Sequence, residues 1–346
     1  MNNLTKQKIA IEVIKTLVSR FDNFPENSLK NRNAPFHEAF LRAFENKLDG
    51  KVSDTPFLIT LSSWLHGLNT TLGQQFFEKV AHILSGGDKK EFTSGRLGNL
   101  DITRKQSENA SAIITSLSHQ GNPSLESENQ ILLQMDKSGL EKAMNLSADV
   151  FFEDDDSVTA IELKSVKPNS GEMKGEKHKI LEGKARLFHR YPNKKIEFFV
   201  GFPFDPTAPS SSPTSYDKNR FLDSIINMTK YFDADEVLLS SELWNKLSGE
   251  ARTMEQILEI INDISAVDFY ENFRFILEDS DRGDTKYREI LKKWHLYTEI
   301  ELLDSVSVIT RRINNDKKLK RLYAKSPMNS KGEYDFERFY QLKNLI

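Results

Sequence analysis

The sequence predicts an α/β protein in which a mixed β-sheet core is flanked by helices, with large helical portions before and after it. Two observations predict this class. Short runs rich in β-branched and aromatic residues, ADVFF, VTAIELKSV, IEFFVGF and EVLLS, are confined to the middle of the chain. On either side, apolar residues recur at helical spacing, as Ile9, Val13, Ile14, Leu17 and Phe21 do near the start.

Residues 1–125 read as a helical N-terminal portion. After the first helix, one segment runs from Phe36 to Leu48. Another, preceded by a start signal at Ser53 to Pro56, runs from Leu68 to Leu84 and keeps Leu72, Phe76, Val80 and Ile83 on one face. Glycines and charges in SGGDKKEFTSGRLGN then predict a loop, and ENASAIITSLSHQ reads as a helix closed by Gly121 and Pro123. Residues 126–240 hold the sheet. The acidic run EDDDS has the composition of a turn, so ADVFF and VTAIEL are expected to pair antiparallel. EKHKILEGKARLFHRY follows as a helix with Leu181, Ala185 and Phe188 inward, and DKNRFLDSIINMTKYF as one capped by Asp217. Residues 241–346 return to helices: TMEQILEIINDI, NFRFILED, YREILKKWHLYTEIELL and VSVITRRINNDKKLKRLY. The three portions are expected to form one compact unit.

Composition excludes several classes. The 346 residues are 38% hydrophobic, enough for a sizeable core, and no apolar run reaches membrane-spanning length. Lys and Arg interrupt the first helix, unlike a secretory leader, and with 0 Cys there is no disulfide, zinc ribbon or thiol chemistry. A cytoplasmic location is expected. The net charge of -3 means that any polyanion-binding surface must be local.

Strand alternation puts Glu162 and Lys164 on one face with Ala160, while Ile161 and Leu163 point the other way. The predicted hairpin folds Asp149 back toward that pair. Two carboxylates and one ammonium then share a pocket. Asp149 and Glu162 suit a hard cation such as Mg2+, to which the Leu163 carbonyl can add an oxygen, and Lys164 suits stabilisation of negative charge. A Glu and a Lys two apart on a strand are more commonly a solvated pair, so the surrounding residues decide the matter.

Asp149, a turn, then Glu162-Leu163-Lys164 and a basic helix resemble the PD-(D/E)XK nuclease signature, with Ala148 where a leading proline is usual. ELKSVKPNSGEMKGEKHKILEGKARL and FFVGFPFDP are similar to a family of type II restriction endonucleases, nearest to the TdeIII-like group, whose members are associated with GGNCC-type sites. The likeness covers roughly Trp64 to Asn262. It implies a restriction-endonuclease-like core and Mg2+-dependent hydrolysis of double-stranded DNA at a short palindrome, leaving 5′-phosphate ends. Homodimerisation and a cognate DNA methyltransferase in the same system are further implications. TTLGQQFFEKVA is similar to the segment that supplies an accessory acid, which would be Glu78; Glu38 is a weaker candidate. A repair or junction-resolving nuclease of the same superfamily, and a DNA-binding defence protein that does not cut, are the competing classes.

DNA contacts are expected from Lys167, Asn169, Lys174, Lys177, Lys179 and Arg186, together with Lys184, because they cluster beside the proposed site; Arg220 flanks the sheet. The polar loop PFDPTAPSSSPTSYDKNR is a candidate for recognition or gating. A second cluster, Arg311 to Lys325, reads equally as a DNA clamp or an exposed helix end. His178, at a helix start, reads as a surface residue rather than a general base.

Overall fold

The computed structural model describes residues 1–21, 23–25, 35–41, 55–92, 101–134, 136–164, 172–278 and 282–346. They form two compact units: one holds Phe77–Gln256 with Met1, the other Asn2–Phe76 with Ile257–Ile346.

The first unit opens with α1 (Phe77–Ser85), β1 (Asp88–Phe92), a two-residue β2 (Ile102–Thr103), α2 (Arg104–Gln120) and α3 (Leu125–Leu132). Thr103 caps α2 reciprocally with Gln106, and Gly121 ends it in the left-handed conformation that a side chain would strain (φ 66). After β3 (Leu140–Glu141), which pairs with β2, come β4 (Leu146–Glu153) and β5 (Ser157–Leu163). The acidic turn joins these last two as an antiparallel hairpin, Val150 opposite Ile161, closed by Asp154 N–H donating to Ser157 O at 2.9 Å. Helix α4 (Glu172–Arg190) then crosses over to β6 (Lys195–Phe202), parallel to β5. Two short helices, α5 (Lys218–Asp223) and α6 (Met228–Tyr231), lead to β7 (Val237–Leu239), parallel to β6, and α7 (Ser241–Ser248). The five-stranded sheet has the order β1-β4-β5-β6-β7, antiparallel on one side and parallel on the other. This is the mixed α/β architecture the sequence predicts.

The core forms where the sheet meets α2 and α4. Ala148, Ala160, Phe198 and Val200 pack there with Leu181 and Ala185 of α4 and Ile113 and Leu117 of α2. Ala160 and Ile161, on opposite faces of β5, are both fully buried, so β5 is a central strand. Gly183 lets α4 lie close: a Cβ there would come within 2.4 Å of the Leu146 side chain.

The second unit is helical. Its helices include Asn3–Phe21, Pro35–Leu41, Thr55–Thr71 with a π-helical turn at Leu72–Phe76, Phe269–Leu277, Thr285–Lys293, Tyr297–Asp304, Val306–Ile313, Lys317–Ala324 and Phe336–Lys343. A buried polar chain ties its two sequence segments together. Gln7 Nε2 donates to Thr298 Oγ1 (2.5 Å), the Thr298 and Tyr334 hydroxyls share a bond (2.6 Å), and Glu299 accepts from Tyr334 (2.6 Å) and Arg338 (2.7 Å).

Several elements differ from expectation. DKKEF, expected in a loop, is β1. Of the segment expected from Phe36 to Leu48, Pro35–Leu41 is helical and residues 42–54 lie outside the described residues. Three segments expected as single helices are each two, broken by non-glycine residues of positive φ: Asn227 (65°), His295 (56°) and Asn314 (41°).

Candidate active site

The residues singled out for chemistry gather around the middle of β4 and the end of β5, beside α1, β1 and α4. Antiparallel register, carried one step past Val150 and Ile161, puts Asp149 opposite Glu162. Asp149 Oδ2 accepts from Leu163 N–H at 2.9 Å, fixing the carboxylate against the strand end. Its backbone carbonyl accepts from His82 Nε2 of α1 at 2.7 Å. Glu162 Oε1 accepts from Lys164 Nζ at 3.1 Å, and the same ammonium lies 3.4 Å from Glu176 of α4. Glu162 and Glu176 also line a cavity of about 80 Å³ with Lys179, Ile180, Phe198 and Asn145.

Sequence reasoning missed Glu176, Lys89 and His82. Lys89 of β1 bridges Asp149 Oδ1 (3.2 Å) and Glu78 Oε2 (3.1 Å), so Glu78 does join the cluster, through a lysine. The β1–β4 register shifts between Asp88 and Lys90, and such a bulge re-aims a side chain. Two signals stood in the sequence. His82 falls one turn after Glu78 on the same helix face, and Glu176 one turn before the buried Ile180.

Burial, then the facing charge of Asp149, pushes the Glu162 carboxyl up to about 7 despite its lysine. Burial opposes the charge of Lys164, but Glu162 and Glu176 outweigh it and hold the ammonium above the ordinary lysine value. The same balance, with Glu78 and Asp149 as partners, raises Lys89. This is a compact acidic site short of positive charge. Among the described residues no three His, Asp or Glu side chains gather into a ready metal cage. The hard-oxygen pair Asp149 and Glu162 nonetheless fits magnesium, which keeps several waters and takes one or two carboxylates.

The remaining predicted contacts divide. Lys179 lines the cavity, half-exposed, 3.2 Å from Glu176, and Lys174 is exposed on the first turn of α4. Lys167 and Asn169 lie outside the described residues. Lys177 is corrected: it is fully buried, 2.5 Å from Glu128 and paired with Glu236, and Lys184 is buried on Glu236 as well (2.9 Å). Arg186 is also buried. These side chains point into the protein, so no phosphate can reach them, because the inner face of α4 carries charge where a helix facing a core is usually apolar. Arg220 is spent on the loop before α5, bonding Thr207 Oγ1 (2.9 Å) and the buried Asp205 carboxylate (3.3 Å). His178, expected at the surface, is half-buried, with Nε2 lying 3.3 Å from the buried Glu182, and Glu38 lies on helix Pro35–Leu41.

Comparison with known proteins places the chain in a family. Residues 1–265 match the family model described as type II restriction endonuclease, HinfI. The chain is 44% identical to the type II restriction enzyme MjaII of Methanocaldococcus jannaschii, over 98% of this chain and 96% of that protein. Both matches carry the resemblance at the level of type II restriction endonucleases; the likeness to the TdeIII-like group is a finer one that neither addresses. The chain belongs to the HinfI family of type II restriction endonucleases, which are site-specific deoxyribonucleases.

Proposed function

We propose that the chain hydrolyses double-stranded DNA at a short palindrome in a magnesium-dependent reaction of the PD-(D/E)XK type, leaving 5′-phosphate ends. The observation that carries this reading is the placement of Asp149 opposite Glu162 across the hairpin, with Lys164 on the Glu162 carboxylate. Asp149, Glu162 and the Leu163 carbonyl would hold magnesium, which when bound polarises the scissile phosphate and acidifies the attacking water. Lys164 holds its ammonium where negative charge develops on the phosphoryl oxygens, and Glu176 keeps it charged and aimed. Water oxygen forms the new bond to phosphorus and gives up a proton to solvent, the bond to the 3′ oxygen breaks, and that oxygen takes up a proton from solvent to leave as the 3′ hydroxyl. Glu78, acting through Lys89, sets the orientation of Asp149. Lys174 and Lys179, with Lys167 and Asn169 on the preceding segment, supply phosphate contacts next to the cut.

A palindrome presents the same sequence on both strands, so two identical sites related by a twofold axis cut both, which favours a homodimer. Such an enzyme works in the cytoplasm beside a methyltransferase that protects the host's own sites. Among the described residues no helix is long and apolar enough to cross a membrane.

The test is a digest of phage DNA with purified protein and magnesium, with the fragment ends sequenced. Discrete bands sharing one palindrome and ligatable 5′-phosphates are expected. Cutting that follows branched structure rather than sequence would overturn the reading.

A further inference from the structure

Helices Val306–Ile313 and Lys317–Ala324 follow one another across Asn314, Asn315 and Asp316. The turn is tight: Asp316 N–H donates to Ile313 O at 2.9 Å. Ile309 and Ile313 bury the first helix, whereas the second buries no residue at all. Arg311, Arg312, Lys317, Lys318, Lys320 and Arg321 are all exposed. Among the described residues none of them pairs with a carboxylate. The contrast lies in the same unit, where Lys286 is held by Glu271, Arg288 by Asp304 and Lys343 by Glu301. Asp316, the acid within the stretch, has turned its carboxylate onto the N–H groups of Lys318 and Leu319 as a helix cap.

Crowding unpaired cations on a helix pair raises its self-repulsion, and in a chain of net charge -3 it is a marked segregation of charge. We infer that this helix pair is a contact surface for the phosphate backbone of duplex DNA, additional to the phosphate contacts proposed for α4. The inference rests on the DNA-cutting reading for its choice of polyanion. Such a surface releases condensed counterions as it neutralises phosphates, and so contributes affinity without sequence information. It gives the enzyme grip on DNA of any sequence, from which the site is then found.

The test measures binding of a random-sequence 30-base-pair duplex by fluorescence anisotropy, in calcium, across a salt series. Replacing all six cations by Gln should lower the slope of log affinity against log salt by several units, at about 0.9 for each phosphate that is no longer neutralised. The control Lys286→Gln with Lys343→Gln removes carboxylate-paired charges and should leave the slope unchanged. Thermal melting checks the fold. If the sixfold variant does not fold, Arg311→Gln with Arg312→Gln and Lys320→Gln with Arg321→Gln, made separately, should each lower the slope by one to two units. An unchanged slope, or an equal fall in the control, overturns the inference. Failure of the wild-type protein to cut phage DNA would sink the cleavage reading while leaving this binding measurement intact, so the two fail separately.

Discussion

At the scale of single residues, Glu162 is placed where ionisation is costly in the metal-free protein. Its folded-state pKa is raised to about 7 from the ordinary 4.5, so stability falls as pH rises through that window and the loss is complete above it. Glu162→Gln removes the cost and leaves Lys164 its contact with Glu176. The metal-free variant should therefore be more stable than wild type at pH 8, by up to about 3 kcal/mol, and the gain should shrink as pH falls toward 4.5. Paired melts in EDTA at pH 8 and pH 5.5 check this, and a variant less stable at pH 8 contradicts it. The same variant should cleave more slowly by about three orders of magnitude or more, since a proposed metal ligand is lost. Lys164→Ala should slow single-turnover cleavage by about 10²–10³-fold while calcium-supported binding persists; a change of a few-fold would return Lys164 to a solvated pair. The two carboxylates and this lysine were legible because strand alternation and a turn of known composition leave few arrangements open. Lys89 was not, since its strand DKKEF is mostly charged and lies among glycines that read as a loop, and it gains its place only by pairing with β4.

At the scale of elements, α4 shows how a helix pattern misleads. Its basic residues suggest a DNA-facing surface, yet Lys177 and Lys184 point inward onto Glu236, with Glu128 closing the group. Burial alone would raise Glu236, but Lys184 and Lys177 prevail and hold it below the ordinary carboxylate value. Glu236→Gln would leave buried ammonium groups short of charge and should destabilise the protein by about 3–5 kcal/mol, read by urea unfolding; a loss under 1 kcal/mol would mean that the lysines find water. Gly183→Ala should cost about 1–3 kcal/mol, because its Cβ would press on Leu146 and Phe198 and push α4, with Glu176, off the sheet. Crystallography of the variant would show that shift. The broken helices carry a sequence lesson. Amphipathic spacing continues across Asn227, His295 and Asn314, so periodicity reads straight through them. The break lies in a backbone preference for the left-handed region that two of the three, as Asn, advertise.

At the scale of the whole molecule, the proposed homodimer has a consequence for mixtures. Each subunit would cut one strand, so wild-type protein exchanged with an excess of Glu162→Gln subunits should accumulate nicked circles from a one-site plasmid. Product that stays linear in proportion to the wild-type fraction would indicate that one subunit cuts both strands. The mixed α/β class and the β4–β5 hairpin were readable from short β-rich runs in the middle of the chain, whereas the edge strand β1 was not. The grouping of Asn2–Phe76 with Ile257–Ile346 was not, because contacts that distant in sequence leave no local pattern.

That grouping has a consequence for synthesis on the ribosome. Gln7 finds its buried partner Thr298 291 positions later, a delay of roughly 15 to 60 s at 5–20 residues per second. The unit carrying Asp149, Glu162 and Lys164 is contiguous apart from Met1 and is spelled out in full before the helical unit has its second half. The nascent chain thus holds the whole unit that carries these three residues while the first helix still waits with Gln7 for Thr298.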